Sequence, residues 1–211
     1  MFTGLIQTIG RIENVEANDS GKSFLFYCPE LVSEIKIDDS IAVNGVCLTA
    51  TAVTKNGFKA QAVHITLEKS NLSFLKIDEK VNIELSMKYS DRVGGHLVQG
   101  HVNDVATVVS TEKKGENYEM WLKAPTHLTQ FLLKEGSVAL DGISLTIADV
   151  RDEHFLITFI PHTWTHTQIH TRETGALVNI EVDMQARMIA QYVEHFMKNM
   201  KFQNAGTKNE F

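Results

Sequence analysis

The feature of this sequence that most constrains its fold is an internal duplication. The segment SIAVNGVCLT, which begins at Ser40, aligns with SVALDGISLT, which begins at Ser137, and five of the ten positions are identical. The segment VNIELSM from Val81 aligns with VNIEVDM from Val178 at the same offset of 97 residues (137 − 40 and 178 − 81). A constant register over separated blocks indicates a repeated structural unit. We therefore predict that the chain folds as two copies of one domain.

Each copy has the sequence pattern of a small β-domain. Segments such as SFLFYC, CLTATAV and KAQAV are short, rich in β-branched and aromatic residues, and often alternate apolar with polar positions. They are separated by NDSGK, TKNG and EKKGEN, whose Asn, Asp and Gly residues favour turns. About half a dozen strands in each half predict an antiparallel barrel. The domains are predicted at 1–97 and 98–184.

The end of the chain changes from a strand period to a helical period. Apolar side chains recur with helical spacing from Met188 to Met200, with polar residues on the other side. We predict an amphipathic helix at 185–201 and a flexible tail at 202–211. The apolar stripe of this helix would pack either on the preceding barrel or against another subunit, and we favour subunit association because both barrels are complete before the helix begins.

The composition excludes several classes of function. The net charge of −6 and the pI near 5.8 give a nucleic acid no electrostatic surface to bind. The N-terminal residues lack a signal-peptide pattern, and no apolar run is long enough to cross a membrane. We expect a cytoplasmic protein that acts on a small molecule, with its two cysteines, Cys28 and Cys47, as free thiols.

The duplication itself points to candidate functional residues, because equivalent positions with different chemistry are where two copies specialise. Random drift explains any single difference, but four differences together favour specialisation. The four pairs, first copy before second, are Cys47 and Ser144, Ser86 and Asp183, Ile65 and His162, and Leu5 and His101.

The reactive residues support more than one interpretation. Cys47 is either a small packed side chain or a nucleophile, and His101 is the base or cation that would activate it across space. The spacing of His96 and His101 is poor for a metal, so no metal site is predicted. His162, His166 and His170 have helical spacing, but the intervening Thr, Trp and Ile residues favour strand and loop. The segment GGH matches no nucleotide-binding motif, so no nucleotide cofactor is predicted.

Six segments together resemble the riboflavin synthase family: MFTGLIQ, SIAVNGVCLT, GGHLVQGHV, GSVALDGISLT, IPHTWTHTQ and VNIEVD. The resemblance extends from Met1 to about Met197. It implies an all-β fold of two tandem, homologous, six-stranded Greek-key barrels with a C-terminal amphipathic α-helix. It also implies a homotrimer, held by that helix, with each active site between the first barrel of one subunit and the second barrel of the next. Some members of the family associate with lumazine synthase.

The resemblance also implies the residues of the two pockets. Those carried over to the first barrel are Gly4, Leu5, Ile6, Ser40, Cys47, Leu48, Thr49, Gln61, Ala62, Val63, His64, Ile65 and Thr66. Those carried over to the second barrel are Gly100, His101, Val102, Glu135, Ser144, Leu145, Thr146, Phe159, Ile160, Pro161, His162, Thr163, Trp164 and Asp183.

The reaction that the resemblance implies is a dismutation of two 6,7-dimethyl-8-ribityllumazine molecules, which gives riboflavin and 5-amino-6-(D-ribitylamino)uracil without a cofactor. His101, Ser144 and Thr146 are expected to stabilise a carbanion or relay its proton. Cys47, Ser40 and Asp183 are expected to position or deliver a nucleophile.

The chain departs from the family pattern at Ile65, Ser73 and Glu135, where the family usually has Glu, Gly and Lys. These changes bear on affinity more than on chemistry. Two other functions remain open at this stage. One is a fluorescent antenna protein that binds a lumazine or flavin without turnover, and the other is a thiol hydrolase that uses Cys47 and His101.

Overall fold

The computed structural model describes residues 1–206, with side chains as far as residue 198. The first half forms a closed six-stranded antiparallel barrel with the strand order β1-β2-β5-β4-β3-β6. Its strands are β1 Thr8–Asn18, β2 Gly21–Tyr27, β3 Ser40–Val43, β4 Val46–Val53, β5 Gly57–Val63 and β6 Lys80–Leu85, with a short helix α1 at His64–Lys69. Because β3, β4 and β5 are successive hairpin strands and β6 returns beside β3, the connection is a Greek key.

The second half repeats this barrel. Its strand order is β7-β8-β11-β10-β9-β12, which is the first order with every label raised by six. The strands are β7 Asp104–Lys114, β8 Asn117–Lys123, β9 Ser137–Leu140, β10 Ile143–Arg151, β11 His154–Phe159 and β12 Leu177–Val182, with helix α2 at Pro161–His166. The two barrels and the C-terminal helix confirm the predicted fold class.

The alternating sequence pattern explains why these segments form barrel strands. In β5 the side chains of Phe58, Ala60 and Ala62 are buried, while the residues between them are exposed. Phe58 packs against Phe26 with ring centroids 5.1 Å apart, and Phe26 stacks on Phe24. The inward positions of all six strands thus fill one barrel with a single apolar core.

The prediction that His162, His166 and His170 lie on strand and loop was wrong. His162 and His166 lie on helix α2, and His170 lies in the 3-10 turn Gln168–Thr171. Pro161 is the first residue of α2, where its fixed φ favours a helix and its missing N–H is not needed. Local geometry therefore overrides the β preference of the intervening residues.

A buried polar network joins the two barrels. Asn82 Nδ2 donates to the Asp141 carbonyl (2.9 Å), and the equivalent Asn179 Nδ2 donates to the Asn44 carbonyl (2.8 Å). The network loses its symmetry at Asp141, whose fully buried carboxylate forms an ion pair with Arg172 at 2.9 Å. Because the two amide bonds each join one barrel to the other, they fix how the two halves sit on each other.

The last helix, α3, spans Met184–Gly206, whereas the sequence pattern predicts residues 185–201. Residues 207–211 of the predicted tail lie outside the described residues. The stripe predicted to be apolar is largely uncovered in the single chain, where the side chains of Ile189, Tyr192 and Phe196 are all more than half exposed. Packing on its own barrel therefore does not bury this face.

Candidate active site

The pockets are built from segments that cross between the barrels. Residues 1–6 and 97–102 run side by side at the centre of the molecule, where Phe2 and Val98 exchange backbone hydrogen bonds of 2.7 and 3.0 Å. Phe2 is fully buried among Val98, Ala42 and Ala139. From this centre each segment reaches the barrel of the other repeat.

The segment of the second repeat lies on the first barrel. The backbone N–H of Cys47 donates to the Gly100 carbonyl at 2.9 Å. Gly100 has a φ of +78°, and a Cβ atom there would lie 2.6 Å from the Cβ of Cys47. Only glycine combines this backbone angle with so close an approach. His101 and Val102 follow Gly100 onto the same barrel.

The segment of the first repeat lies on the second barrel in the equivalent way. The backbone N–H of Ser144 donates to the Gly4 carbonyl at 2.8 Å, and Gly4 has a φ of +72°. Ile6 packs against the core of the second barrel. The assignment of Gly4, Leu5 and Ile6 to the first-barrel pocket, and of Gly100, His101 and Val102 to the second, was therefore wrong, because the two segments are exchanged.

The first pocket is a cavity of about 180 Å³ beside Cys47. It brings together side chains from the first barrel and from the crossing segment of the second repeat. Its lining comprises Val46, Cys47, Ile65, Thr66, Lys69, Ser70, Gly100, His101 and Val102. Cys47 and His101 thus share one pocket, which only the interpretation of Cys47 as an activated nucleophile had placed together, and Lys69 adds a cation that the sequence reasoning missed.

The other residues predicted for the first pocket lie around it rather than in its lining. Leu48 and Ala62 point into the barrel core. Thr49, Gln61 and Val63 are exposed, and His64 Nε2 lies 3.1 Å from the carbonyl oxygen of Asp19.

A larger groove lies beside the first pocket. This groove has a volume of about 570 Å³ and runs between α1, the second barrel and α3. It shares Lys69, His101 and Val102 with the first pocket and continues to His127 and Arg187. The two cavities therefore lie side by side at Lys69, His101 and Val102.

The position of the second barrel that is equivalent to Cys47 has a different polar centre, and we call the surroundings of Ser144 the second pocket. Ser144 Oγ and His96 Nδ1 share a hydrogen bond of 2.7 Å. His96 belongs to the linker between the barrels, and the preceding Gly95 lies so close that an added Cβ would be 2.7 Å from Ser144 Oγ. A hydroxyl bonded to an imidazole is an arrangement that moves a proton.

Asp183 adds a negative charge near this pair. Burial holds the pKa of His96 below its usual value, and the charge of Asp183 acts in the opposite direction. Asp183 Oδ1 also accepts a hydrogen bond of 2.8 Å from the backbone N–H of Gln185, the bond expected of a helix N-cap. Asp183 therefore caps the start of α3 and acts electrostatically on His96.

The apolar wall of the second barrel centres on Trp164. Its ring stacks on Tyr118 with centroids 4.2 Å apart and meets Phe159 edge-on. Leu145 and Trp164 pack against the core, Ile160 and Pro161 begin α2, and His162 stacks on His166 at 4.0 Å.

Several predicted residues lie apart from both polar centres. Ser40 lines a separate depression with Ser86, Asp39 and Asp91 rather than the cavity beside Cys47. Thr146 is exposed on β10, and Thr163 accepts through its carbonyl oxygen a hydrogen bond of 2.8 Å from the hydroxyl of Thr167. Glu135 is an exposed turn residue with a φ of +66°.

The sequence reasoning missed His96 as a site residue. It treated His96 only as one half of a poor metal pair with His101. The available signal was its position in GGH, within a linker that has no equivalent in the aligned repeat blocks. Within the described residues, no cluster of three or more metal-ligating side chains occurs.

The two cysteines are expected to differ sharply in reactivity. Cys28 is fully buried, and burial together with the charge of Glu30 raises the pKa of its thiol to about 12. Cys47 is only partly buried and lines an open cavity. Iodoacetamide at pH 8 should therefore label one equivalent of thiol in the native protein, and peptide mass spectrometry should place the label on Cys47. Equal labelling of both cysteines would contradict this.

The lowered pKa of His96 predicts a pH-dependent stability. Because the unfolded chain binds a proton at His96 more readily than the native state, the stability that the neutral ring contributes is present above pH 6.5 and is lost as pH falls below it. The free energy of unfolding of the wild type, relative to that of His96→Gln, should thus decrease between pH 7.5 and pH 5. Urea denaturation of both proteins measures this, and a pH-independent difference would refute it.

Comparison with known proteins gives consistent results. A family model described as the lumazine binding domain matches the chain twice, over residues 3–86 and 99–183. The riboflavin synthase of Photobacterium phosphoreum is 38% identical over 190 residues, which cover 90% of this chain and 87% of that protein. The riboflavin synthase of Bacillus subtilis (strain 168) is 36% identical over 93% of this chain and 90% of its own length.

Solved structures confirm the fold. The structure of LumP complexed with 6,7-dimethyl-8-(1'-D-ribityl) lumazine aligns with a TM-score of 0.79 at 23% identity, covering 87% of this chain and 99% of LumP. The complex of LumP with riboflavin aligns with a TM-score of 0.81. None of the helices among the described residues has the length and apolar character needed to cross a membrane.

Proposed function

Because this chain belongs to the riboflavin synthase family, with two lumazine binding domains, we propose that it catalyses the reaction of that family. Two molecules of 6,7-dimethyl-8-ribityllumazine react, a four-carbon unit passes from one to the other, and the products are riboflavin and 5-amino-6-(D-ribitylamino)uracil. The two substrate molecules contain all the atoms of the two products, so the transfer is balanced without an oxidant or a reductant.

The observation that carries the proposal is that equivalent positions of the two repeats carry different polar groups. Cys47 and Ser144 are equivalent by the repeat, which suits two copies of one substrate. Cys47 shares a cavity with His101, and Ser144 is hydrogen-bonded to His96. This difference supports different roles for the two molecules, one as donor and one as acceptor of the four-carbon unit.

The exchanged segments change the grouping of catalytic residues within one chain. The sequence interpretation placed His101 with Ser144 and Cys47 with Asp183. In the fold, His101 lies with Cys47, and Asp183 lies near His96 and Ser144. We assign proton relay at one substrate to the Ser144–His96 pair, with Asp183 stabilising the protonated imidazole. Cys47 and His101 position the other substrate.

Orientation is the main contribution of the protein to this reaction. The substrate supplies its own electrophilic ring carbon and its own acidic methyl group, so no cofactor is included in the proposal. Holding two rings in a reactive geometry supplies on the order of 7 to 11 kcal/mol in favourable cases. Acid–base assistance adds about 10²- to 10⁴-fold.

A homotrimer would complete the site by bringing the first pocket of one subunit against the second pocket of the next. The uncovered apolar face of α3 supports such an association, because Tyr192 and Phe196 are 70% and 62% exposed in the single chain. Replacing both with glutamate should give monomers in light scattering and should abolish turnover, while each barrel stays folded. A double variant that remains trimeric would contradict the assignment of α3.

The cellular setting follows from the family and from the cysteines. Two unpaired thiols suit a reducing compartment, so we place the protein in the cytoplasm. Association with lumazine synthase, which the family resemblance implies for some members, stays a prediction that co-purification would test.

The decisive experiment incubates the purified protein with 6,7-dimethyl-8-ribityllumazine and no additive. Riboflavin should appear in a ratio of one molecule to two molecules of lumazine consumed. A change in lumazine fluorescence without product would instead identify an antenna protein. Ester hydrolysis that is sensitive to iodoacetamide, without lumazine turnover, would identify a thiol hydrolase.

A further inference from the structure

Two buried glutamates occupy equivalent positions in the two barrels. Glu84 lies on β6 and Glu181 lies on β12, 97 residues later (181 − 84). Both side chains are almost fully buried, and burial raises the pKa of each carboxyl above its usual value. Neither carboxylate forms an ion pair within the described part of the chain, although the charge of His101 acts to lower the pKa of Glu181. A buried acid without an ion pair is costly, so its presence needs a specific reason.

Glu84 binds the crossing segment of the first repeat. Its Oε1 accepts hydrogen bonds from the backbone N–H of Thr3 at 2.7 Å and from the Thr3 hydroxyl at 2.8 Å. Its Oε2 accepts a third from the backbone N–H of Gly4 at 3.1 Å. The carbonyl of Gly4 then accepts the backbone N–H of Ser144, in the second barrel. A first-barrel carboxylate is therefore linked to the second pocket through a single residue, Gly4.

Glu181 makes the equivalent connection in the second barrel. Its Oε1 accepts a hydrogen bond of 2.7 Å from the backbone N–H of Gln99, and the backbone N–H groups of Gly100 and His101 act to lower the pKa of the carboxyl. Its Oε2 has no hydrogen-bond partner among the described residues. The carbonyl of Gly100 accepts the backbone N–H of Cys47, in the first barrel. A second-barrel carboxylate is therefore linked to the first pocket through the crossing segment at Gly100.

We propose that Glu84 and Glu181 are crossed positioning residues: each holds the crossing segment of its own repeat and thereby fixes the ligand pocket of the opposite barrel. The part of this proposal that concerns ligands rests on the proposed function, whereas the part that concerns the backbone does not. An acid that served only its own barrel would leave the opposite pocket unchanged.

Amide hydrogen exchange of the full-length protein tests the backbone connection without any ligand. In Glu84→Gln, the Ser144 amide should exchange about tenfold or more faster, while the Cys47 amide keeps its wild-type rate. In Glu181→Gln the pattern should reverse. Each variant is the matched control of the other, and Glu112→Gln, at an exposed position on β7, controls for the loss of a charge.

A milder variant covers the case in which a glutamine variant fails to fold. Thr3→Val removes the hydroxyl bond to Glu84 but keeps the shape of the side chain, so the Ser144 amide should exchange a few-fold faster and the Cys47 amide should not change. Equal effects on both amides, or an effect confined to the barrel that carries the substitution, would overturn the proposal.

Riboflavin, used as an unreactive probe, tests the consequence for the pockets. Its protection of Cys47 from iodoacetamide reports the first pocket, because Cys28 is buried. Its quenching of Trp164 fluorescence, in a Trp121→Phe background, reports the second. Riboflavin affinity should fall about tenfold or more at the second pocket in Glu84→Gln and at the first pocket in Glu181→Gln. If riboflavin reached neither pocket of the wild type, the proposed function would fail, and the amide exchange would still decide this proposal.

Discussion

Replacing Gly100 with alanine is expected to lower the turnover of lumazine by about a hundredfold or more. The new methyl group would lie 2.6 Å from the Cβ of Cys47 and 2.8 Å from the ring of Phe2, and both neighbours are packed. The φ of +78° adds backbone strain of about 1 to 2 kcal/mol for a residue with a Cβ atom. The segment must therefore move away from Cys47, which misplaces His101 and reshapes the first pocket. Steady-state kinetics with 6,7-dimethyl-8-ribityllumazine measures the effect.

Gly115→Ala is the matched control for this variant. Gly115 also has a positive φ, of +63°, but it lies in the β7–β8 turn, where an added methyl group would meet no atom of the described residues within 4 Å. It should lose about 1 kcal/mol of stability and keep wild-type turnover. If Gly100→Ala retained activity comparable to that of Gly115→Ala, the close approach of the crossing segment to Cys47 would not matter for the reaction.

Replacing Asp141 with alanine is expected to cost about 3 to 5 kcal/mol of the free energy of unfolding. The substitution leaves the largely buried guanidinium of Arg172 without its anion. It also removes the acceptor for Asn71 Nδ2, for Gln168 Nε2 and for the backbone N–H of Asn179. Since small domains are stable by only about 5 to 15 kcal/mol in total, the loss is large. Equilibrium denaturation in urea measures it.

Two further variants show whether this cost comes from burial. Glu112→Ala breaks the exposed pair between Glu112 and Lys114, and its effect on stability should stay below about 1 kcal/mol. Asp141→Asn restores the amide that Asn44 provides in the first repeat and should fall between the other two. A loss below about 1 kcal/mol for Asp141→Ala would mean that the barrels do not depend on the asymmetric ion pair.

The barrels could be predicted from the sequence because the local pattern of each strand indicates its structure. Alternating apolar positions such as Phe58, Ala60 and Ala62 define a buried face, and Asn-Gly at the β4–β5 turn defines a hairpin. The duplication then indicated that both halves have the same fold. Where a local signal was ambiguous, as between strand and helix at Pro161–His166, the prediction failed because residue preference is weaker than the geometry of a proline at the helix start.

The candidate site was predicted only in part. Comparing the two repeats singled out Cys47, Ser144, His101, Asp183 and His162 by their chemistry. The first four lie in or beside the two polar centres, whereas His162 lies on α2 and stacks on His166. The same comparison could not find His96, because a residue in the linker has no partner in the other repeat. It also could not show that Ser40 lies apart from both polar centres, because the position of Ser40 follows from the pairing of β3 with β4.

The sequence by itself determined that there are two barrels and where most of their strands lie, because these properties depend on patterns within about ten neighbouring residues. Only the tertiary structure decided which barrel each N-terminal segment completes. Gly4 and Gly100 occupy equivalent positions in the two repeats, and nothing in the local sequence says whether each packs on the barrel of its own repeat or on the other barrel. Contacts across the molecule make that choice. They are the pairing of Phe2 with Val98 and the backbone bonds of Gly4 to Ser144 and of Gly100 to Cys47. Those contacts form only when both barrels are folded and docked, so no local pattern records them.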